Sequence, residues 1–305
     1  MEQVIIAAIS RFAVPCFIMI SGVIWLHKGN DVSIKSLWKK RIPRLFTSLL
    51  FWSILYAIFT EWSNKKFEIY RFVKNVFCGN YHLWFLYMFI GVYTVIPLIQ
   101  YISKSEKLFR YLLVLSGIFT SVIPTMKKIP ILEKSQIFNY IFNTINFKFA
   151  LGGVFYVMLG HFLDDYVNNC VRRRALVVLG GLSLLITILL GRFECIVTQT
   201  KNFNWFDYYA LNIMLYSIGV FSIFKKDFKL PQMCTDLISK VSKLSFGIYL
   251  IHDFYKVLLT NKFATLSAIC PKYILVFLIS CLVFIASFIT VWLINKIPKL
   301  NKYIL

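Results

Sequence analysis

Carboxylates are scarce in this chain: 13 Asp and Glu stand against 34 Lys and Arg in 305 residues, a formal net charge of +21. A proton- or sodium-driven transporter would have to work with unusually few intramembrane acids. Cysteine occurs seven times, but Cys16, Cys78, Cys170, Cys195, Cys234, Cys270 and Cys281 are scattered. With no CxxC pair and no Cys/His spacing of a metal site, neither a disulfide framework nor bound zinc is supported. No P-loop, Rossmann glycine fingerprint, HExxH helix or nucleophile elbow occurs, so ATP hydrolysis, dinucleotide redox chemistry and zinc proteolysis lose their usual support. The N-terminus, MEQVIIAAISRFAVP, lacks the basic region and small-residue cleavage site of a signal peptide, and its first apolar run is kept as a membrane span.

Apolar residues are abundant. Hydrophobic residues make up 59% of the chain and charged ones 15%, with a mean hydropathy of +0.70, well outside the composition of a soluble domain. The bilayer is therefore the solvent to reason with. A net positive charge would raise nucleic acid as a partner of a soluble protein. Here the Lys and Arg lie between apolar runs, where they mark topology and contact anionic membrane lipids, and no nucleic-acid partner is expected. The 30 Phe, 17 Tyr and seven Trp fit a lipid-facing core with aromatic belts.

Nine runs have the length and composition of spans: Val4 to Leu26, Leu45 to Thr60, Leu83 to Tyr101, Leu108 to Ile123, Phe147 to Leu163, Ala175 to Leu190, Tyr208 to Phe224, Leu244 to Leu259 and Tyr273 to Ile294. They lack the alternation of barrel strands, so the expected fold is an all-α polytopic membrane bundle of about nine helices, one domain over residues 1–305. Most Lys and Arg fall on the connections holding Lys28 to Arg44, Lys104 to Arg110, Arg172 to Arg174, Lys225 to Lys243 and Lys296 to Lys302. The positive-inside rule makes that side cytoplasmic, which puts the C-terminus inside and Met1 outside. A helix before Met1 would relieve the awkwardness of a first span entering from outside with no charge to hold it.

The connection after the first run reads HKGNDVSIKSLWKKRIPRLF. Arg41 and Arg44, three apart at the start of the next helix, share a face. Two guanidiniums on one face at a membrane boundary suit a phosphate or pyrophosphate, since each gives paired hydrogen bonds; positive-inside anchoring is the plainer alternative. Arg11 lies about two turns inside the first run, where an ionised side chain costs several kcal/mol unless paired or wet. Its surroundings, SRFAVPCFIMISG, put Ser10, Pro15, Ser21 and Gly22 in the same helix and allow a kink and close packing. A later helix start would let Arg11 snorkel to the outer interface instead.

His27 and His161 fall near the inner ends of runs and read as interfacial. His82 opens the third run at the outer face, in YHLWFLYMF with Trp84. His252 lies within LSFGIYLIHDFYK, after Tyr249 and before Asp253, with Lys256 one turn later. A buried histidine beside a carboxylate can act as a general base. An ion-paired structural histidine is the alternative, with Asp253 and Lys256 satisfying one another or facing a cavity.

Four stretches together resemble, in order, the acyltransferase 3 family of bacterial membrane proteins: SRFAVPCFIMISG at 10–22, KKRIPRLF at 39–46, HLWFLYMFIGVY at 82–93 and KLSFGIYLIHDF at 243–254. The resemblance implies a ten-helix bundle of the cytoplasmic (inner) membrane. It implies an O-acyltransferase that takes an acyl group, acetyl first among them, from acyl-CoA and delivers it to a surface polysaccharide or its lipid-linked precursor, with no metal. Arg41 and Arg44 match the family's RxxR motif, which implies a role on the acyl-CoA side. The family's first helix carries an arginine and the histidine expected to act as base or acyl carrier, and this chain starts just before the second helix; Arg11 matches the second-helix motif and does not replace that arginine. An incomplete chain is the preferred explanation, because the outside N-terminus already asks for another helix. A shortened homologue, inactive or using another base, is the alternative, with His252 and His82 as replacements. The competing class is a transporter or flippase of a lipid-linked sugar or other anionic substrate, with Arg41, Arg44 and Arg11 along its path. A non-catalytic remnant that binds partners of glycan assembly is the third.

Overall fold

The structure, a computed structural model, describes residues 2–27, 32–65, 67–144, 152–199, 204–225, 230–263 and 271–297. No strand occurs among the described residues, as expected where backbone groups must be paired within their own segment. The principal helices are α1 (Glu2–Ser10), α2 (Ala13–Trp25), α3 (Ile42–Asn64), α4 (Ile69–Cys78), α5 (Trp84–Ser103), α6 (Glu106–Gly117), α7 (Gly153–Tyr166), α8 (Cys170–Thr198), α9 (Leu211–Phe224), α10 (Gln232–Lys262) and α11 (Lys272–Asn295).

Among the described residues, seven stretches are long and apolar enough to cross a membrane: Val4–Trp25, Ile34–Asn64, Ile69–Ser103, Glu106–Met126, Cys170–Thr198, Asn204–Phe224 and Tyr273–Asn295. The protein is an all-α, multi-pass membrane protein. These stretches answer seven of the nine expected runs. The run expected from Phe147 begins outside the described residues, and its described part is the 14-residue α7. The run expected from Leu244 lies in α10, which has 31 residues but carries Lys240, Lys243, Asp253 and Lys256, so its apolar character is diluted. The first span is interrupted at Arg11 and Phe12, between α1 and α2. Pro15 has no N–H to return to the carbonyl of Arg11, and the hydrogen-bond ladder opens there.

The chain forms two compact units. One comprises Met1–Ser33 and Thr94–Asp227, and small residues set its packing. A Cβ on Gly22 would lie 2.0 Å from the Val157 carbonyl oxygen, and one on Gly160 would lie 2.1 Å from that of Met19, so the backbones of α2 and α7 touch. Gly180 of α8 and Gly219 of α9 meet in the same way, a Cβ on Gly180 falling 2.6 Å from the Gly219 Cα. Close approach of this kind lets helices gain dispersion contact where lipid offers no hydrophobic driving force. Polar side chains add to it: Cys16 donates to the Ser217 carbonyl at 3.4 Å, Ser183 to that of Asn212 at 2.7 Å, and Tyr216 to that of Ile9 at 3.1 Å.

Gly160→Ala should therefore be strongly destabilising, by about 1–3 kcal/mol or more, because the clash is with backbone and one helix must move. Gly181→Ala on α8, where a Cβ meets nothing within 4 Å, should melt at the wild-type temperature or slightly above. Thermal unfolding of both variants in detergent checks the pair; equal melting temperatures would show that the α2–α7 contact is not tight.

The second unit comprises Ile34–Tyr93 and Phe228–Leu305. Its core joins Leu49, Trp52 and Tyr56 of α3 to Leu83 and Leu86, to Leu244, Ile248, Leu250 and Ile251 of α10, and to Val291 of α11. The Tyr255 and Thr290 hydroxyls, 2.6 Å apart, tie α10 to α11. Near the end of α3 the buried Glu61 accepts from Nε and Nη2 of Arg71, both at 2.7 Å, and from the Glu68 N–H at 2.9 Å, which folds α4 back onto α3.

Candidate functional site

The second unit gathers the ionisable groups of α10 against the turn that precedes α5. Gly79 takes a φ of +70°, open to glycine and strained for other residues, and turns the chain out of α4. The Asn80 side chain accepts from the Tyr81 N–H at 2.7 Å and so starts a single 3-10 turn, Tyr81–Leu83, leading into α5. That turn delivers Asn80, Tyr81 and His82 to one carboxylate.

Asp253 is that carboxylate, and only 2% of it is exposed. Its Oδ1 accepts from the Tyr81 hydroxyl at 2.6 Å and from Lys256 Nζ at 3.0 Å, and its Oδ2 accepts from Asn80 Nδ2 at 3.0 Å. Lys256 also donates to the Tyr81 hydroxyl at 2.5 Å. A buried charge is tolerable only when paired and hydrogen-bonded, and Asp253 meets both conditions. Lys256, half exposed, and Tyr81, 63% exposed, are the members of the network open to solvent or headgroups.

His82, 5% exposed, stands beside this network with Nδ1 3.9 Å from Asp253 Oδ2; among the described residues Nδ1 has no hydrogen-bond partner. Its Nε2 lies 3.4 Å from the Leu250 carbonyl, which also accepts from the Tyr56 hydroxyl at 2.8 Å. The His252 ring is 5.1 Å away, edge to face. His252 Nδ1 is 2.6 Å from the Tyr249 carbonyl. A carbonyl can only accept, so Nδ1 carries the proton and Nε2 of the neutral ring keeps a lone pair, the form a general base requires. The Tyr249 hydroxyl donates to the His82 carbonyl, closing the cluster.

Of the residues singled out in the sequence, His82, Tyr249, His252 and Asp253 come together here. Lys256 and Asp253 satisfy one another, as one reading of the sequence anticipated. Trp84 sits 36% exposed at the start of α5, its ring edge-on to Phe85. Three members of the cluster escaped sequence reasoning: Asn80, Tyr81 and Tyr56. Tyr81 and Asn80 adjoin His82 and could have been found as the cap of its turn; Tyr56 lies in an ordinary apolar stretch and gave no signal.

Arg41 and Arg44 lie elsewhere in the same unit. Arg41 ends a five-residue π-helical segment, Leu37–Arg41, and Arg44 stands in the first turn of α3. Three residues apart on the continuous helical stretch Ile34–Asn64, the two stand close together along its surface. Among the described residues neither guanidinium has a salt-bridge partner. Tyr56, on which the histidine cluster packs, is about 18 Å further along α3 from Arg44 at 1.5 Å per residue.

Arg11 and Ser21 belong to the first unit. Arg11 occupies the break between α1 and α2, its guanidinium 5.0 Å from the Tyr208 ring centroid, an arrangement that supports a cation inside a membrane span. Ser21 donates to the Phe17 carbonyl of its own helix at 3.0 Å, a local bond that explains it without chemistry. His161 packs edge-on against Phe109, with ring centroids 5.4 Å apart. Among the described residues no group of three or more His, Cys, Asp and Glu is placed to hold a metal ion.

The sequence matches the model of one family, described as an acyltransferase domain, over residues 1–296. No curated protein and no solved structure matches it. With the match running through all four motifs and nearly the whole chain, this multi-pass membrane protein belongs to the acyltransferase 3 family.

Proposed function

We propose that this acyltransferase moves an acyl group, acetyl first among them, from acyl-CoA to a hydroxyl of a cell-surface polysaccharide or its lipid-linked precursor, in a bacterial inner membrane with the Arg41 end and the C-terminus cytoplasmic. The observation that carries the reading is the arrangement along α3: two guanidiniums with no ion-pair partner among the described residues at one end, and a histidine–carboxylate cluster about 18 Å further on. Arg41 and Arg44 hold the coenzyme A phosphates through charge-assisted, bidentate hydrogen bonds. The pantetheine arm of an extended coenzyme A can bridge the rest of the distance.

In the reaction the acceptor hydroxyl attacks the thioester carbonyl, a C–O bond forms and the C–S bond breaks. His252 Nε2 takes the hydroxyl proton and returns it to the departing thiolate. Asp253, held by Tyr81, Asn80 and Lys256, fixes the turn carrying His82 against α10 and so positions the His252 ring. Positioning and general-base catalysis supply the acceleration.

Cells expressing the protein should carry acyl esters on their surface glycan, measured by NMR of the isolated polymer, and cells lacking it should not. Equal ester content in the two would sink the reading. Movement of a lipid-linked sugar by proteoliposomes, independent of acyl-CoA, would replace it with a transporter.

A further inference from the structure

A second site lies in the first unit, and none of the residues assigned to acyl transfer lines it. Phe12, Cys16, Ile20 and Ile24 recur at four-residue intervals along α2 and form one wall of an apolar groove of about 560 Å³. Val220 and Phe224 of α9 form the other. The groove is open to the side: Ile20 is 51% exposed, Ile24 56% and Phe224 71%. From Phe12 to Ile24 it runs about 18 Å, close to the roughly 15 Å of hydrocarbon in one leaflet.

One end is polar. The last turn of α7 and the C-terminus of α9 bring Asp164 and Lys225 together as an ion pair that lines the groove. Their side chains are 26% and 29% exposed, enough to be reached by a headgroup. Asp164 stands at a helix C-terminus, where the macrodipole disfavours an anion and a second cation beside it is welcome.

We infer that this groove holds one acyl chain of a zwitterionic phosphoethanolamine lipid, with its phosphate on Lys225 and its ammonium on Asp164. The two headgroup charges match the two side chains in sign and number, whereas the net negative headgroup of a phosphatidylglycerol places its only charge beside Asp164 as well as Lys225. The inference does not depend on the acyl-transfer reading, and its test reads lipid alone.

The full-length protein, delipidated in detergent, is titrated with dioleoylphosphatidylethanolamine or dioleoylphosphatidylglycerol and read by native mass spectrometry. One phosphatidylethanolamine should be retained with a preference of about tenfold over phosphatidylglycerol. Asp164→Asn should abolish the preference, and Ile20→Trp, which fills the groove, should remove the bound lipid. Ile24→Trp gives the same reading at a second, more exposed position should Ile20→Trp fail to fold. Equal retention of the two lipids by the wild type, a preference that survives Asp164→Asn, or an adduct that survives the folded Trp variant would each overturn the inference.

Discussion

Replacing Arg41 and Arg44 together with alanine is expected to raise the KM for acyl-CoA and lower kcat/KM by two to four orders of magnitude, leaving the fold intact. The magnitude follows from the interactions lost. A hydrogen bond to a charged group contributes about 1.5–3 kcal/mol, and two guanidiniums each lose at least one. The fold should survive because Arg44 is exposed, neither guanidinium has a salt-bridge partner among the described residues, and the buried neighbours on this stretch are Leu37 and Ile42. A double lysine variant keeps both charges and loses the planar fork, so it should recover only part of the affinity. If the role were only to anchor the helix end at the membrane, lysine would serve as well as arginine and the KM for donor would not move. Steady-state kinetics in purified membranes, with thermal unfolding as the control for folding, separates the two.

The second large effect is expected at His252. His252→Gln should lower kcat by about 10²–10⁴, the usual contribution of a general base, while leaving the KM for acyl-CoA near its wild-type value. The contrast with the arginine pair is the informative part: one site should act on donor binding, the other on the chemical step. His82→Gln is expected to behave differently again. His82 is buried beneath Tyr81 and Tyr249 and its Nε2 faces the Leu250 backbone carbonyl, so it supports the cluster, and its loss should lower the unfolding temperature as well as the rate. A His252→Gln variant with unchanged kcat would remove His252 from the mechanism.

The architecture was readable because lipid imposes a simple rule: long apolar runs must be helices, and seven of the expected runs are long and apolar enough by that criterion alone. Helix ends were not readable from hydropathy. Residues 34–41, with Lys39, Lys40 and Arg41, continue the helix N-terminal to the apolar run from Leu45, and α10 extends from Gln232 to Lys262 although only its middle is apolar. Lys and Arg are as good helix formers as Leu, and hydropathy does not see backbone. The break at Arg11 was signalled by Pro15, four residues on, and the sequence permitted a kink there without fixing its position.

Within the site, residue types were legible and partners were not. His252, Asp253 and Lys256 stand close in the chain, so their mutual neutralisation could be anticipated. That His82 meets them follows from how the Tyr81–Leu83 turn packs on α10, across a separation of 168 residues in the contact with Leu250. Tyr56 was hidden among 17 tyrosines, most of which an aromatic belt would explain equally well. Its role became visible only when its hydroxyl was found on the Leu250 carbonyl, with the Phe254 N–H also turned to it at 3.3 Å.

The central claim is that the arginine pair and the histidine cluster, set apart along α3, serve one reaction that starts from acyl-CoA. Sealed vesicles of known orientation, containing the full-length protein and the acceptor glycan, can be given radiolabelled acetyl-CoA on one face at a time. Label should appear in the glycan as an ester when the donor is on the face bearing Arg41 and Arg44, and only there. Labelling from the opposite face, or no labelling from either with correctly folded protein, would contradict the account.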